Sequence, residues 1–208
     1  LLMSIVKLSN NGVKNATAFG SAVTSLGSMI FIKKLTASSS ATLSFVDGSS
    51  DVVLDDTYKE YLFTFNNIHP ETDQAHLTVG FRDGGSAYDA TKTTTYFQAY
   101  HNENDSTTAL SYITSRDLAQ STDFQQIANT IGNDNDQQTS GYLHLFNPSS
   151  TTFVKHFYSR FNIYNASEYS VDNYVAGYCN VTAAIDAVQF SMSSGNIDAG
   201  DICLYGIL

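Results

Sequence analysis

Tryptophan is absent from this chain, and proline and cysteine occur only twice each among its 208 residues. Two thiols cannot build a disulfide framework. Cys179 and Cys203 have no metal-type spacing, so they read as buried, reduced thiols on two C-terminal strands that could face one another. Basic residues are also scarce: ten Lys and Arg against twenty Asp and Glu leave a net charge of −10. That balance opposes phosphate backbones and anionic membranes, which disfavours nucleic-acid binding. Long apolar runs are missing too. Residues 1–8 are interrupted by Lys7 and 26–32 is too short to span a bilayer, so neither a secretory segment nor membrane insertion is expected. GxSxG, P-loop, GxGxxG and HExxH patterns do not occur, which removes the common hydrolase, nucleotide and zinc-protease signals.

What the chain does have is 13 Tyr and 13 Phe, set in stretches that alternate with period two, the signature of a strand with one buried face. Such stretches occupy 28–35, 41–46, 58–67, 77–81, 93–101, 141–147, 153–164, 174–181, 184–192 and 202–207. Residues 107–121 fit a helix about as well as a strand and are read as extended, and 124–131 is a further, doubtful segment. Turn residues separate the stretches, among them Asp47-Gly48, Asp83-Gly84-Gly85, Asn133 to Asp136 and Ser193 to Asn196. About ten short strands without helix predict one antiparallel β-sandwich of jelly-roll type over 28–208, preceded by an irregular arm over 1–27. The expected core is Phe63, Phe65, Phe157, Phe161, Val188, Phe190 and Leu204. Phe153 shares the core face of its strand, 77–81 is expected to be half exposed, and Tyr96, Gln98 and Tyr100 lie opposite Phe97 and Ala99.

Chemistry-bearing groups are dispersed. Asn133, Asp134, Asn135 and Asp136 gather oxygens as a hard cation requires, yet lack the glycine and distant glutamate of a calcium loop, so a solvated hairpin tip is the reading. His101 lies beside Asn102-Glu103-Asn104-Asp105 and could pair with a carboxylate there. Asp55, Asp56, Glu60, Glu71 and Asp73 could converge as glycosidase acids, although isolated carboxylates on an acidic protein are usually solvated surface. No cofactor or metal is expected.

The run 145–157, LFNPSSTTFVKHF, followed by Ala187-Val188-Gln189-Phe190, SSGNIDAG over 193–200 and Tyr205-Gly206, resembles a group of tailed-phage virion proteins of tail-fibre or structural type, abundant among marine phages. The resemblance extends from about Lys33 onward. It implies a non-enzymatic virion surface role and carries no functional residues to transfer. Asn147, Pro148, Gly195 and Gly206 fall in the shared motif and read as backbone-shaping positions. A short arm and one sandwich leave no room for the long shaft of a complete fibre, so capsid decoration or a short fibre tip is expected, with the arm as docking segment. The partners implied are other virion proteins and copies of the chain itself, most simply in a trimer, with Tyr96, Tyr100, Tyr158 and Tyr178 as candidate contacts. A host-surface glycan could be gripped by the loops Asp83-Gly84-Gly85 and Asn133 to Asp136. A carbohydrate-binding module or a glycan-processing enzyme is the alternative.

Overall fold

A computed structural model describes residues 28–208; the arm over 1–27 lies outside the described residues. Among the described residues, twelve antiparallel strands and no helix make up the fold. They are β1 (Met29–Thr36), β2 (Leu43–Val46), β3 (Glu60–Pro70), β4 (Ala75–Arg82), β5 (Lys92–Asn102), β6 (Thr108–Tyr112), β7 (Gln125–Ile131), β8 (Thr139–Phe146), β9 (Lys155–Asn165), β10 (Tyr169–Cys179), β11 (Ala187–Met192) and β12 (Ile197–Ile207). The ambiguous segment 107–121 contains β6, and the doubtful 124–131 is β7, which is why there are more strands than the sequence predicts.

The strands form two layers. A front sheet runs β1-β12-β3-β8-β9-β10-β5-β6 and a back sheet β7-β4-β11-β2, joined where Ile131 of β7 meets Asn165 at the end of β9. Four of the pairings nest inside one another along the chain: β1 with β12, β2 with β11, β3 with β8, and β4 with β7. One long antiparallel ribbon folded over on itself gives this order, an all-β antiparallel sandwich that closes partly upon itself. The hairpins β5–β6 and β9–β10 are additions to the ribbon, and together they widen the front sheet beyond β8.

Between the layers lies an aromatic core. Phe45, Phe63, Phe65 and Phe190 pack edge to face at centroid separations of 4.9–6.3 Å, and Phe65 meets Phe161 at 4.9 Å, separations at which such ring pairs attract. All seven expected core residues are buried. The ladder between β3 and β12 is interrupted by bulges beside Asn67 and Gly200, both at positive φ. A side chain at Gly200 would sit 2.6 Å from the Asn67 carbonyl oxygen and 2.8 Å from the Ile68 Cα, so only glycine fits this crossing.

The structure corrects three local expectations. β4 is buried on both faces rather than half exposed, because the Phe124 ring lies against Gly80, where any Cβ would collide with it. Phe153 falls before β9 and is 70% exposed, not part of the core face. Cys179 and Cys203 are both buried and free, but β10 and β12 are four strand spacings apart in the front sheet, roughly 19 Å, so the thiols do not face one another.

Candidate functional site

The outer face of the front sheet carries rings where a solvated face would carry charges. Strand β8 shows how this arises. Leu143 and Leu145 point into the core, while Tyr142, His144 and Phe146 point outward, so both faces of the strand are apolar or aromatic. Register then lines these rings up with those of neighbouring strands. Phe31, Tyr205, Leu62, His144 and Tyr158 stand opposite one another in sequence across five strands. One step along, Tyr142, Arg160, Tyr174, Phe97 and Tyr112 form a second row.

Cross-strand stacking holds the rows rigid. His144 stacks on Tyr158 at 4.7 Å and 21°, Phe146 lies 5.5 Å from Tyr158, and Tyr174 stacks on Phe97 at 4.7 Å and 4°. Arg160 covers Tyr174 at 5.0 Å while its guanidinium grips Asp172 through contacts of 2.7–3.1 Å. That clamp keeps Arg160 firmly protonated; the hydrogen bond that the Tyr174 hydroxyl donates to the same carboxylate at 3.0 Å raises the Tyr174 pKa, against the opposing Arg160 charge. Glu60 pairs with Nδ1 of His144. Desolvation first, and the Glu60 charge second, push the Tyr158 hydroxyl upward, so the ring stays neutral at physiological pH. Phe31, Phe97, Tyr112 and Tyr158 remain 39–57% exposed. Such a face offers preformed, nearly flat aromatic contact area at low entropic cost.

Of the four tyrosines expected at a contact, Tyr158 and Tyr178 belong to this face; Tyr178 is half-buried beside His156 at 5.9 Å. Tyr96 and Tyr100 do not. Tyr96 is fully buried and Tyr100 points inward on the same side of β5, while Phe97 and Ala99 take the outer side. The reason is that the interior under β5 is polar, so the more polar side of the strand is the inner one. The two expected ligand loops are also separated. Asp83, Gly84 and Gly85 follow the last residue of β4, whereas Asn133 to Asp136 follow Ile131, which pairs with the first. An eight-residue strand therefore lies between them, roughly 23 Å. Asn133 and Asp134 contact Glu71 and His69 instead. Asp55 and Glu60 lie at one end of β3 and Glu71 and Asp73 beyond the other, so these carboxylates do not converge. His101 does pair with Asp105, at 3.0 Å. Among the described residues no group of three or more His, Cys, Asp or Glu side chains is placed to hold a metal ion.

Two of the motif positions take a left-handed backbone and a third is a close packing contact. Asn147 adopts a φ of 46° and Gly195 one of 65°, and Gly206 lies directly under the Tyr58 ring.

A second feature, not anticipated from the sequence, is a polar cleft of about 350 Å³ between the inner side of the β5–β10 extension and β7, lined by Gln98, Tyr100, Arg116, Asn129, Asn165 and Tyr169 among others. Behind it runs an amide chain. Asn173 donates to Asn129 at 2.9 Å, and Asn129 donates to Gln98 at 2.9 Å. The signal for it was the density of Asn and Gln on strands that ought to have been apolar inside.

No family model, curated protein or solved structure matches this chain.

Proposed function

We propose that the chain is a non-catalytic surface protein of a tailed-phage particle, a capsid decoration or short fibre tip, that joins virion proteins or copies of itself through the outer aromatic face of its front sheet. The observation that carries this reading is the pair of ring rows described above. A contiguous, exposed aromatic face fixed on a rigid sandwich is the composition of a protein contact, since tyrosine, phenylalanine and arginine are enriched there. The resemblance of 145–157 and 187–206 to virion proteins supplies the setting. A trimer closes such a contact with the fewest identical copies beyond a dimer, and repetition on a symmetric particle lets individually weak contacts act together.

Tyr158→Asp tests it. Placing a charge between His144 and Phe146 should dissociate the oligomer and abolish co-sedimentation with purified particles, while the protomer stays folded with a loss of about 1–2 kcal/mol from the two cross-strand ring contacts and the neighbouring Glu60 charge. Light scattering at micromolar concentration and particle sedimentation are the readouts. A wild-type protein that is monomeric and also fails to sediment with particles overturns the reading.

A further inference from the structure

The cleft between the β5–β10 extension and β7 leaves a cation and several side-chain donors unpaired. None of its lining residues is acidic, although acidic residues outnumber basic ones two to one in the chain. Its single cation is Arg116. Arg116 Nε donates to Gln126 at 3.1 Å and the guanidinium lies 5.9 Å from the Tyr96 ring, which fixes the fork, yet among the described residues neither terminal nitrogen has an acceptor and no carboxylate pairs with it. The amides agree in sense. Gln98 spends its oxygen on Asn129, and Asn165 spends its oxygen on the backbone N–H of Ser167 at 2.7 Å, so in both cases the NH₂ group is left over. The Arg116 fork and the two free amide NH₂ groups can only donate, the lining hydroxyls can act either way, and no lining side chain is an anion, a balance that suits a ligand rich in acceptors and negatively charged.

One wall is aromatic. Tyr100 and Tyr169 meet edge to face at 5.7 Å, forming an apolar ridge beside the donors. Side-chain amides, one arginine and a tyrosine wall in a cleft of about 350 Å³ suit a small ring that has polar edges and an apolar face. We propose that this cleft binds a carboxylated sugar unit of the uronic-acid type, its carboxylate on the Arg116 fork, its hydroxyls on Gln98 and Asn165, and its ring against Tyr100 and Tyr169. The site is distinct from the outer aromatic face, so its test stands whether or not that face is an assembly surface. It also replaces the two loops at opposite ends of β4 as the place where a glycan would be held.

Titration calorimetry and ligand-observed NMR on the full chain with glucuronate, glucose and acetate decide the matter. Glucuronate should bind in the millimolar range, with glucose and acetate each weaker by about tenfold or more, since each keeps only half of the recognition. Affinity for glucuronate should fall as salt is raised, because the charge contact is partly solvent-screened. Arg116→Gln should weaken glucuronate about tenfold and leave glucose unchanged. If that variant does not fold, Arg116→Lys gives the same reading: a point charge without the fork should recover only part of the binding. Equal binding of glucuronate and glucose removes the role of Arg116, equal binding of glucuronate and acetate removes the sugar, and absence of glucuronate binding at tens of millimolar overturns the site.

Discussion

Beneath the nested ribbon strands the interior is made of phenylalanine; between β7 and the added strands β5, β9 and β10, buried amides, hydroxyls and amines are set among the apolar side chains. In the first region Phe45, Phe63, Phe65 and Phe190 touch one another and leave no polar side chain among them. In the second, Lys92, Thr94, Gln125, Asn129, Lys155, Ser159 and Asn173 are all buried. Thr94 donates to Gln125 at 2.5 Å, and Lys92 donates to the carbonyls of Thr122 and Asp123. Tyr96 Oη, Ser159 Oγ and Asn173 Oδ1 have no partner among the described residues. A core of the first kind is stabilised by area and is indifferent to pH. One of the second kind is specified by pairing, so its cost falls on any group left alone.

Breaking the aromatic side should have the largest effect. Phe161→Ala removes the ring that meets Phe65 at 4.9 Å from a fully buried site. A cavity of that size costs about 3–5 kcal/mol, read by urea or thermal unfolding. A cost near 1 kcal/mol would mean that β9 belongs energetically to the polar region.

Lys92 is the next test. Its side chain is fully buried, it ends on two backbone carbonyls, and it lies in register with Cys179 and, one strand further, Lys155. Desolvation lowers the pKa of both lysines, and the same burial pushes the Cys179 thiol up to about 12. Lys92→Met strands the two carbonyls while relieving a buried charge, for a net loss of about 1–2 kcal/mol at neutral pH. The pH dependence is more telling than the size. With its folded pKa below the unfolded value of 10.5, Lys92 binds its proton more weakly in the native state. Wild type should therefore gain stability relative to the variant as pH climbs through the lowered pKa toward 10.5, and lose that gain as pH falls again. A difference flat with pH from neutral to 10.5 would show that the amine is already solvated.

The aromatic region was legible in the sequence and the polar one was not, for one physical reason. Period two reveals that a strand has two faces, but the choice of inner face rests on assuming that the apolar one is buried. Where the interior is phenylalanine the assumption holds, and Phe63, Phe65, Phe157 and Phe161 fall where the alternation places them. On β5 it inverts, with Tyr96 buried and Phe97 outside stacked on Tyr174. The outer rows were half visible, since Tyr142, His144 and Phe146 alternate with leucines, but their alignment with Tyr158 and Tyr174 depends on register that spans distant strands. For the cleft, the density of Asn and Gln on these strands hinted at a polar interior but not at its place. Arg116 lies in the stretch between β6 and β7, and nothing local marks it as facing Asn129.

A smaller effect is expected inside the amide chain. Asn173→Ala leaves the Asn129 oxygen without its donor, at about 1–2 kcal/mol, and Asn129→Ala does the converse. The double variant should cost less than the sum of the two, because a network loses its remaining partner only once. Strict additivity in the cycle would mean that water replaces each amide freely, and the second region would then be wet rather than paired.

The smallest effect lies where the two regions meet. His76 is on β4, a strand of the ribbon, but its Nδ1 accepts the backbone N–H of Thr130 on β7 at 2.8 Å, and Thr130 lines the cleft. An accepting Nδ1 requires a neutral ring with its proton on Nε2. Burial lowers the His76 pKa from 6.5 and the Arg116 charge lowers it further. The sign follows directly: the contribution of His76 is fully present above 6.5 and is lost as pH falls through the lowered value, when protonation converts the acceptor into a donor facing Thr130. Site-resolved NMR titration of the imidazole separates this from the carboxylates that also titrate in acid. In wild type His76 should titrate below 6.5, and Arg116→Gln should move it part of the way back, since only the smaller of the two causes is removed. An unchanged midpoint in that variant would place the Arg116 charge outside the field of the seam, and would weaken the case that its fork is held ready for an anion in the cleft.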